Sequence, residues 1–134
     1  MLLCKKVKDG GKDSPVDAYF LIEIKSLFSI AILKFNKGGR EAFHTHAFNA
    51  YTWFLKGDLE EEDVDGSKYQ YKCSLLPKYT TIEKNHRVLA KEDSYCLTVR
   101  GPWGNIWTEY SKDTDTSTLF TLGRRVLGTW RGLD

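Results

Sequence analysis

Proline is scarce in this chain, three residues in 134, and the three cysteines (Cys4, Cys73 and Cys96) stand far apart with no CxxC pair. That count and spacing exclude a disulfide framework, a zinc knuckle and a thioredoxin-type redox pair. Free thiols fit a reducing compartment, so a cytoplasmic location is expected. No apolar run approaches the roughly 18 residues a membrane span needs. The longest, residues 27–35, is broken by Ser29 and Lys34. Met1-Leu2-Leu3-Cys4 resembles a lipoprotein cleavage site, but neither a basic nor an apolar region precedes Cys4, so no leader is expected. An excess of one charge is also missing. Lys and Arg number 20 against 18 acidic residues, for a net charge of +2. That balance lacks the electrostatic footprint of a binder of nucleic-acid polymers, and no membrane partner is expected either. With 41% hydrophobic residues the chain is not disordered. Its length suits one domain, residues 1–134, with a core that needs no covalent staples.

What charge there is clusters. Asp58, Glu60, Glu61, Glu62, Asp63 and Asp65 crowd into eight positions and read as one acidic tip. The rest of the chain is mildly basic, which favours an anionic small-molecule ligand or is simply a solvated surface.

No segment carries a sustained 3.6-residue stripe. Residues 5–17 are polar and rich in Gly and Asp, and residues 1–17 read as an N-terminal arm or loop hairpin. Then β-branched and aromatic runs follow at 18–25, 27–35, 50–56, 68–73, 79–82, 87–90, 95–100, 106–110 and 118–122. Asn36-Lys37-Gly38-Gly39 reads as a turn, and Asp65-Gly66 is a strong hairpin signal. Short runs at intervals of roughly 8–12 residues predict an all-β sandwich or barrel.

The three histidines are His44, His46 and His86. On a strand, residues i and i+2 share a face, so the two imidazoles of His44-Thr45-His46 stand about 6–7 Å apart along it. From there both reach one metal ion at roughly 2.0–2.2 Å. His86 completes a triad if its strand packs beside theirs. The plain alternative is an unrelated pair of surface or core histidines.

The stretch from Gly38 through His44, His46 and Ala50 to Gly57 resembles the first motif of the cupin family: Gly, five residues, HxH, three or four residues, Glu, six residues, Gly. Both glycines and both histidines fall in place, and only the acidic position, here Ala50, departs. In the second motif His86 alone matches. The resemblance implies a cupin-type jelly roll, or double-stranded β-helix, with a ligand pocket inside the barrel. It also implies His44, His46 and His86 as ligands of a divalent transition metal (Fe, Zn, Ni, Mn or Cu). Three-histidine faces resemble those of thiol dioxygenases and certain other dioxygenases among the cupins. Some nucleotide-sugar isomerases of the superfamily instead use histidines as acid–base groups without an ion. A larger pattern, residues 43–62 with a late GPW…WTEY and GRR, is similar to small cupins of tailed bacteriophages, which implies a role during infection.

Parity places Ala50, Thr52 and Phe54 on the pocket side, and Tyr51, Trp53 and Leu55 on the outer side, in a second packing layer or a homodimer interface, with plain core packing the simpler reading of the aromatics. Arg100 is a candidate for gripping an anionic substrate group, with a structural pair to Glu109 as the alternative. Tyr95 and Tyr79 are candidate proton donors. Trp103 and Trp107 could stack on a ligand ring or seal the barrel end. Gly123-Arg124-Arg125 could touch a phosphate or be solvated. Three functions follow: a metal-dependent enzyme on a small polar substrate, a module that sequesters a small anionic or nucleotide-derived ligand, and a metal-independent isomerase or epimerase.

Overall fold

A computed structural model describes residues 2–11, 13–121 and 124–133. Its regular elements are strands: β1 (Leu2–Lys8), β2 (Val16–Ile24), β3 (Phe28–Phe35), β4 (Gly38–Gly39), β5 (Phe43–His44), β6 (Ala50–Lys56), β7 (Leu59–Asp63), β8 (Lys68–Tyr71), β9 (Lys78–Thr80), β10 (His86–Ala90), β11 (Ser94–Arg100), β12 (Ile106–Ser111), β13 (Thr116–Thr121) and β14 (Arg125–Arg131). No helix among them is long and apolar enough to cross a membrane.

They form two antiparallel sheets, one in the order β1-β2-β3-β11-β6-β9 and one in the order β14-β13-β12-β5-β10-β7-β8, with β4 paired to β10 at the side. The predicted all-β jelly roll is what forms.

Strand β11 shows why. Its residues alternate without a break, with Ser94, Cys96, Thr98 and Arg100 buried and Tyr95, Leu97 and Val99 less so, as a period of two requires. Strand β6 pairs with it, and the register shifts at Leu55, which is the extra residue. Because that bulge lies beyond Phe54, parity from Ala50 through Thr52 to Phe54 survives, and all three line the interior. Tyr51 and Leu55 are exposed on the other face. A second bulge puts Leu21 out of register in β2 and keeps Phe20 buried.

Between the sheets lie Ala18, Phe20, Ala31, Leu33, Phe54, Leu59, Ala90 and Cys96. Phe54 of one sheet stacks on Tyr71 of the other at 4.4 Å and closes that end. A smaller cluster of Ala47, Phe48 and Ala50, packed on Trp103 and Trp107, fills the other end. Gly57 ends the first motif at φ +111°, and a Cβ there would sit 2.1 Å from Ser94 Oγ. Only glycine fits, because the turn must bring Asp58 N within 3.0 Å of that hydroxyl.

Four readings need correction. Residues 1–17 are not simply an arm, since residues 2–8 form β1, an edge strand paired along β2. Gly38-Gly39 is not only turn, because both residues pair with β10. The Arg124-Arg125 pair is not an isolated surface cluster, because Arg125 opens strand β14. The acidic run is also not a solvated tip. Residues 59–63 form β7, between β10 and β8, with Leu59 and Glu61 buried. Leu122 and Gly123 lie outside the described residues.

Candidate metal centre

His44 ends β5, and its backbone pairs with His86 of β10 on one side and Glu109 of β12 on the other. Beyond His44 the chain leaves the strand. Thr45 ties it to β12: Thr45 N donates to Thr108 O at 2.9 Å, and Thr108 N donates to Thr45 Oγ1 at 2.8 Å. His46 therefore swings closer to His44 than an extended strand allows, with ring centroids 4.8 Å apart. The other centroid distances are 5.0 Å for His44–His86 and 5.2 Å for His46–His86. One nitrogen from each of the three rings falls within a 4.8 Å span. His46 Nε2 and His86 Nε2 are 3.0 Å apart. Ligand bonds of roughly 2.0–2.2 Å at tetrahedral or octahedral angles put neighbouring nitrogens about 3.0–3.4 Å apart, so this pair has the spacing of one edge of a coordination shell.

Two of the donors, His44 and His46, are held neutral. Burial, and then the neighbouring His86, hold His44 well below the usual imidazole range; burial, and then His44, do the same for His46. Their remaining accessible surface faces the interior cavity, which both line. His44 Nδ1 is buried and has no hydrogen-bond partner. Two uncharged rings, one of them with an orphaned buried nitrogen, beside a third imidazole fit a divalent transition ion.

The residue that sequence reading missed is Glu61. It is buried on β7, and its Oε2 lies 2.6 Å from His86 Nδ1. Burial opposes its ionisation, but hydrogen bonds from His86 and Lys78 outweigh that and hold it well below the usual carboxylate range. An ionised carboxylate only accepts, so His86 Nδ1 carries a proton, and Nε2 is the nitrogen turned toward His46. Lys78 also donates to Glu61, and Lys84 does so at 3.0 Å. The signal was present: an Asp-Gly hairpin turn needs a strand on each side, and the strand before Asp65-Gly66 is the acidic run itself.

The cavity holds about 210 Å³. Leu33, Phe54, Leu59 and Cys96 give it an apolar wall, and burial raises the Cys96 thiol to about 12. Arg40, Arg100 and Arg124 also line it. Arg100 is 2% exposed and pairs with Asp9 rather than with Glu109. Glu109 is gripped instead by Arg40 and by Arg124, whose Nη2 lies 2.7 Å away. Arg124 is thus a wall residue and not a solvated one, whereas Arg125 is exposed. Trp103 packs on Phe48 and Trp107 stacks on Phe120, both at the cavity wall. Tyr95 does not join them. It points to the opposite face of β11 from Cys96, Thr98 and Arg100, which removes it as a proton donor here. Tyr79 packs at a tilt against Tyr51, both exposed and outside the barrel.

Solved structures share this architecture. An RmlC-like cupin from Shewanella frigidimarina superposes with a TM-score of 0.57 at 14% identity, over 74% of this chain and 84% of that one. A sugar phosphate isomerase of the cupin superfamily from Silicibacter pomeroyi gives 0.58 at 13% identity, over 90% and 81%. This is a cupin fold. Ectoine synthase from P. lautus is a further likeness, with a TM-score of 0.54 at 16% identity over 72% of this chain and 70% of that one. No family model matches the sequence, and no curated protein matches it. The three-histidine cluster therefore lies inside a cupin barrel whose neighbours carry differently named activities, so the fold does not choose the reaction.

Proposed function

We propose that the chain is a single-domain, metal-dependent cupin enzyme acting on a small polar, anionic substrate. The convergence of three imidazoles on the interior cavity carries this reading. His44, His46 and His86 would hold the ion. A bound divalent transition metal would supply Lewis acidity and open coordination positions for substrate, water or O₂. Three histidines without a carboxylate leave the ion's full charge uncompensated, which favours an anionic substrate. Glu61 fixes the proton of His86 on Nδ1 and so orients that ring. Leu33, Phe54 and Leu59 keep bulk water from one side of the site.

Elemental analysis of the purified protein, before and after loading with Fe(II), Zn(II), Mn(II), Ni(II) or Cu(II), tests the centre. Near-stoichiometric metal that is lost in His46→Ala is expected, and less than about a tenth of an equivalent after loading overturns it. The lining of the cavity favours one other reading, a module that sequesters an anion: five cationic side chains line it against three carboxylates. Incubation of the loaded protein with small carboxylates and sugar phosphates separates the two. Product that is absent with His44→Ala supports the enzyme, and bound but unchanged molecules support the sequestering module.

A further inference from the structure

Arg100 is one of the most deeply buried charges in the molecule, and its counter-ion comes from a distant part of the chain. Its side chain is 2% exposed, whereas that of Asp9, its partner, is 27% exposed. The contact is a fork, with Arg100 Nη2 donating to Asp9 Oδ2 at 2.7 Å and Nη1 to Oδ1 at 3.3 Å. Arg100 Nε is buried and has no partner. The guanidinium lies over Phe48 at 4.5 Å, and Phe48 is 5.2 Å from His46 by ring centroids. One aromatic ring thus separates the arginine from the histidine cluster.

Asp9 starts the turn between β1 and β2. Asp9, Gly10, Ser14 and Pro15 all line the cavity and so cover part of it. Within the turn, Asp9 N donates to Val16 O at 2.9 Å and Ser14 Oγ donates to Asp9 O at 2.6 Å, while its far end is fastened by Asn36, whose N and Nδ2 donate to Pro15 O at 3.0 and 2.8 Å. Gly10 and Gly11 adopt φ of +104° and +99°, and a Cβ on either would lie within 3.0 Å of Arg40 Nη1 or Arg124 Nε. The glycines let the turn sit down on the arginine-lined wall. Among the described residues, the hydrogen-bonded tie from this turn to the far wall is the Asp9–Arg100 fork.

We infer that Arg100 is the seat for a carboxylate of the ligand, and that Asp9 occupies this seat as an internal stand-in which the ligand displaces. A buried guanidinium without a counter-ion is strongly unfavourable. A neutral molecule that pushed the turn aside would leave Arg100 in that state. A carboxylate replaces the Asp9 fork with one of the same geometry, so the exchange is close to balanced. The turn therefore opens for anions and stays shut to neutral analogues. The inference deepens the substrate class proposed above but does not depend on the metal.

The test uses succinate as probe and its neutral diamide as control, with calorimetric titration of the whole chain, both metal-loaded and chelator-treated. Asp9→Asn removes the competing charge and keeps the side-chain shape. Succinate is expected to bind Asp9→Asn about tenfold more tightly than wild type, because an intramolecular competitor has been removed. It should also speed amide hydrogen exchange at Asp9 in the wild type, while the diamide does neither. Arg100→Gln should abolish binding; if either variant does not fold, the wild-type comparison of succinate with the diamide, in affinity and in exchange at Asp9, decides alone. Affinities within twofold of each other, tighter binding of the diamide, or no succinate binding to either form overturns the inference. Success in the chelated chain alone leaves it standing and counts against the metal reading.

Discussion

Glu61 and Glu60 are adjacent, chemically identical and physically unlike. Glu60 faces outward and meets Lys91 at 3.5 Å and Lys68 at 4.0 Å, contacts that solvent screens. Glu61 is 4% exposed and accepts from His86, Lys78 and Lys84 at once. Removing its charge leaves two half-buried lysines, Lys78 and Lys84, short of their partner and weakens the hold on His86. Glu61→Gln is therefore expected to lower metal affinity about 10- to 100-fold, measured by competition with a chelator. An unchanged affinity would mean that Glu61 serves packing alone. The cysteines make a second contrast. Cys4 and Cys73 are exposed and Cys96 is buried. Since burial raises the Cys96 thiol to about 12, almost none of it is thiolate at pH 8. Iodoacetamide should label Cys4 and Cys73 in the native protein and reach Cys96 only on unfolding. Fast labelling of Cys96 would contradict the packing described for β11.

At the scale of elements, alternation does most of the work, and it also explains what could and could not be read beforehand. β6 and β11 were legible because each is a short run of aromatic, β-branched and apolar residues closed by a charged one, and β11 also alternates at every step. The placement of Ala50, Thr52 and Phe54 followed from the positions of the histidines plus parity. β7 was hidden because LEEED looks like solvated charge: three of its outward or rim positions carry the same acids as its inward one. β1 was hidden for a similar reason, being an edge strand whose lysines leave few apolar positions to count. The Asp9–Arg100 pair was beyond sequence reasoning, since nothing local links residues 91 positions apart. The parity of β7 makes a direct prediction. In urea unfolding of the metal-free protein, Glu60→Gln should change stability by less than about 1 kcal/mol. Glu61→Gln should cost about 3–5 kcal/mol, because it breaks a buried, paired charge. Equal effects would mean that the two side chains do not face opposite ways. Gly57 marks where one element must stop. Gly57→Ala combines a positive φ with a collision against Ser94 and should destabilise by about 2–4 kcal/mol.

For the whole molecule, one sheet brings His44 of β5 and His86 of β10 into register from positions far apart in sequence, while Thr45 pins the turn that returns His46 to them. The cluster exists only when the sheet is assembled, so ion binding and folding are linked. An ion that binds the native state alone stabilises it by RT ln(1 + [M]/Kd), about 2.7 kcal/mol at a hundredfold excess over Kd. For a domain of this size that corresponds to a rise of roughly 8–12 °C in Tm. The rise should grow with the logarithm of metal concentration and be reversed by a chelator. It should vanish in His44→Ala and His86→Ala. In Asp9→Asn it should persist, because that variant alters the covering turn and leaves the three rings in place. A Tm insensitive to every divalent transition ion, in a chain whose wild-type fold is confirmed by circular dichroism, would leave the histidine cluster as a hydrogen-bonded core. The barrel would then have to be read as a receptor for anions held by Arg100.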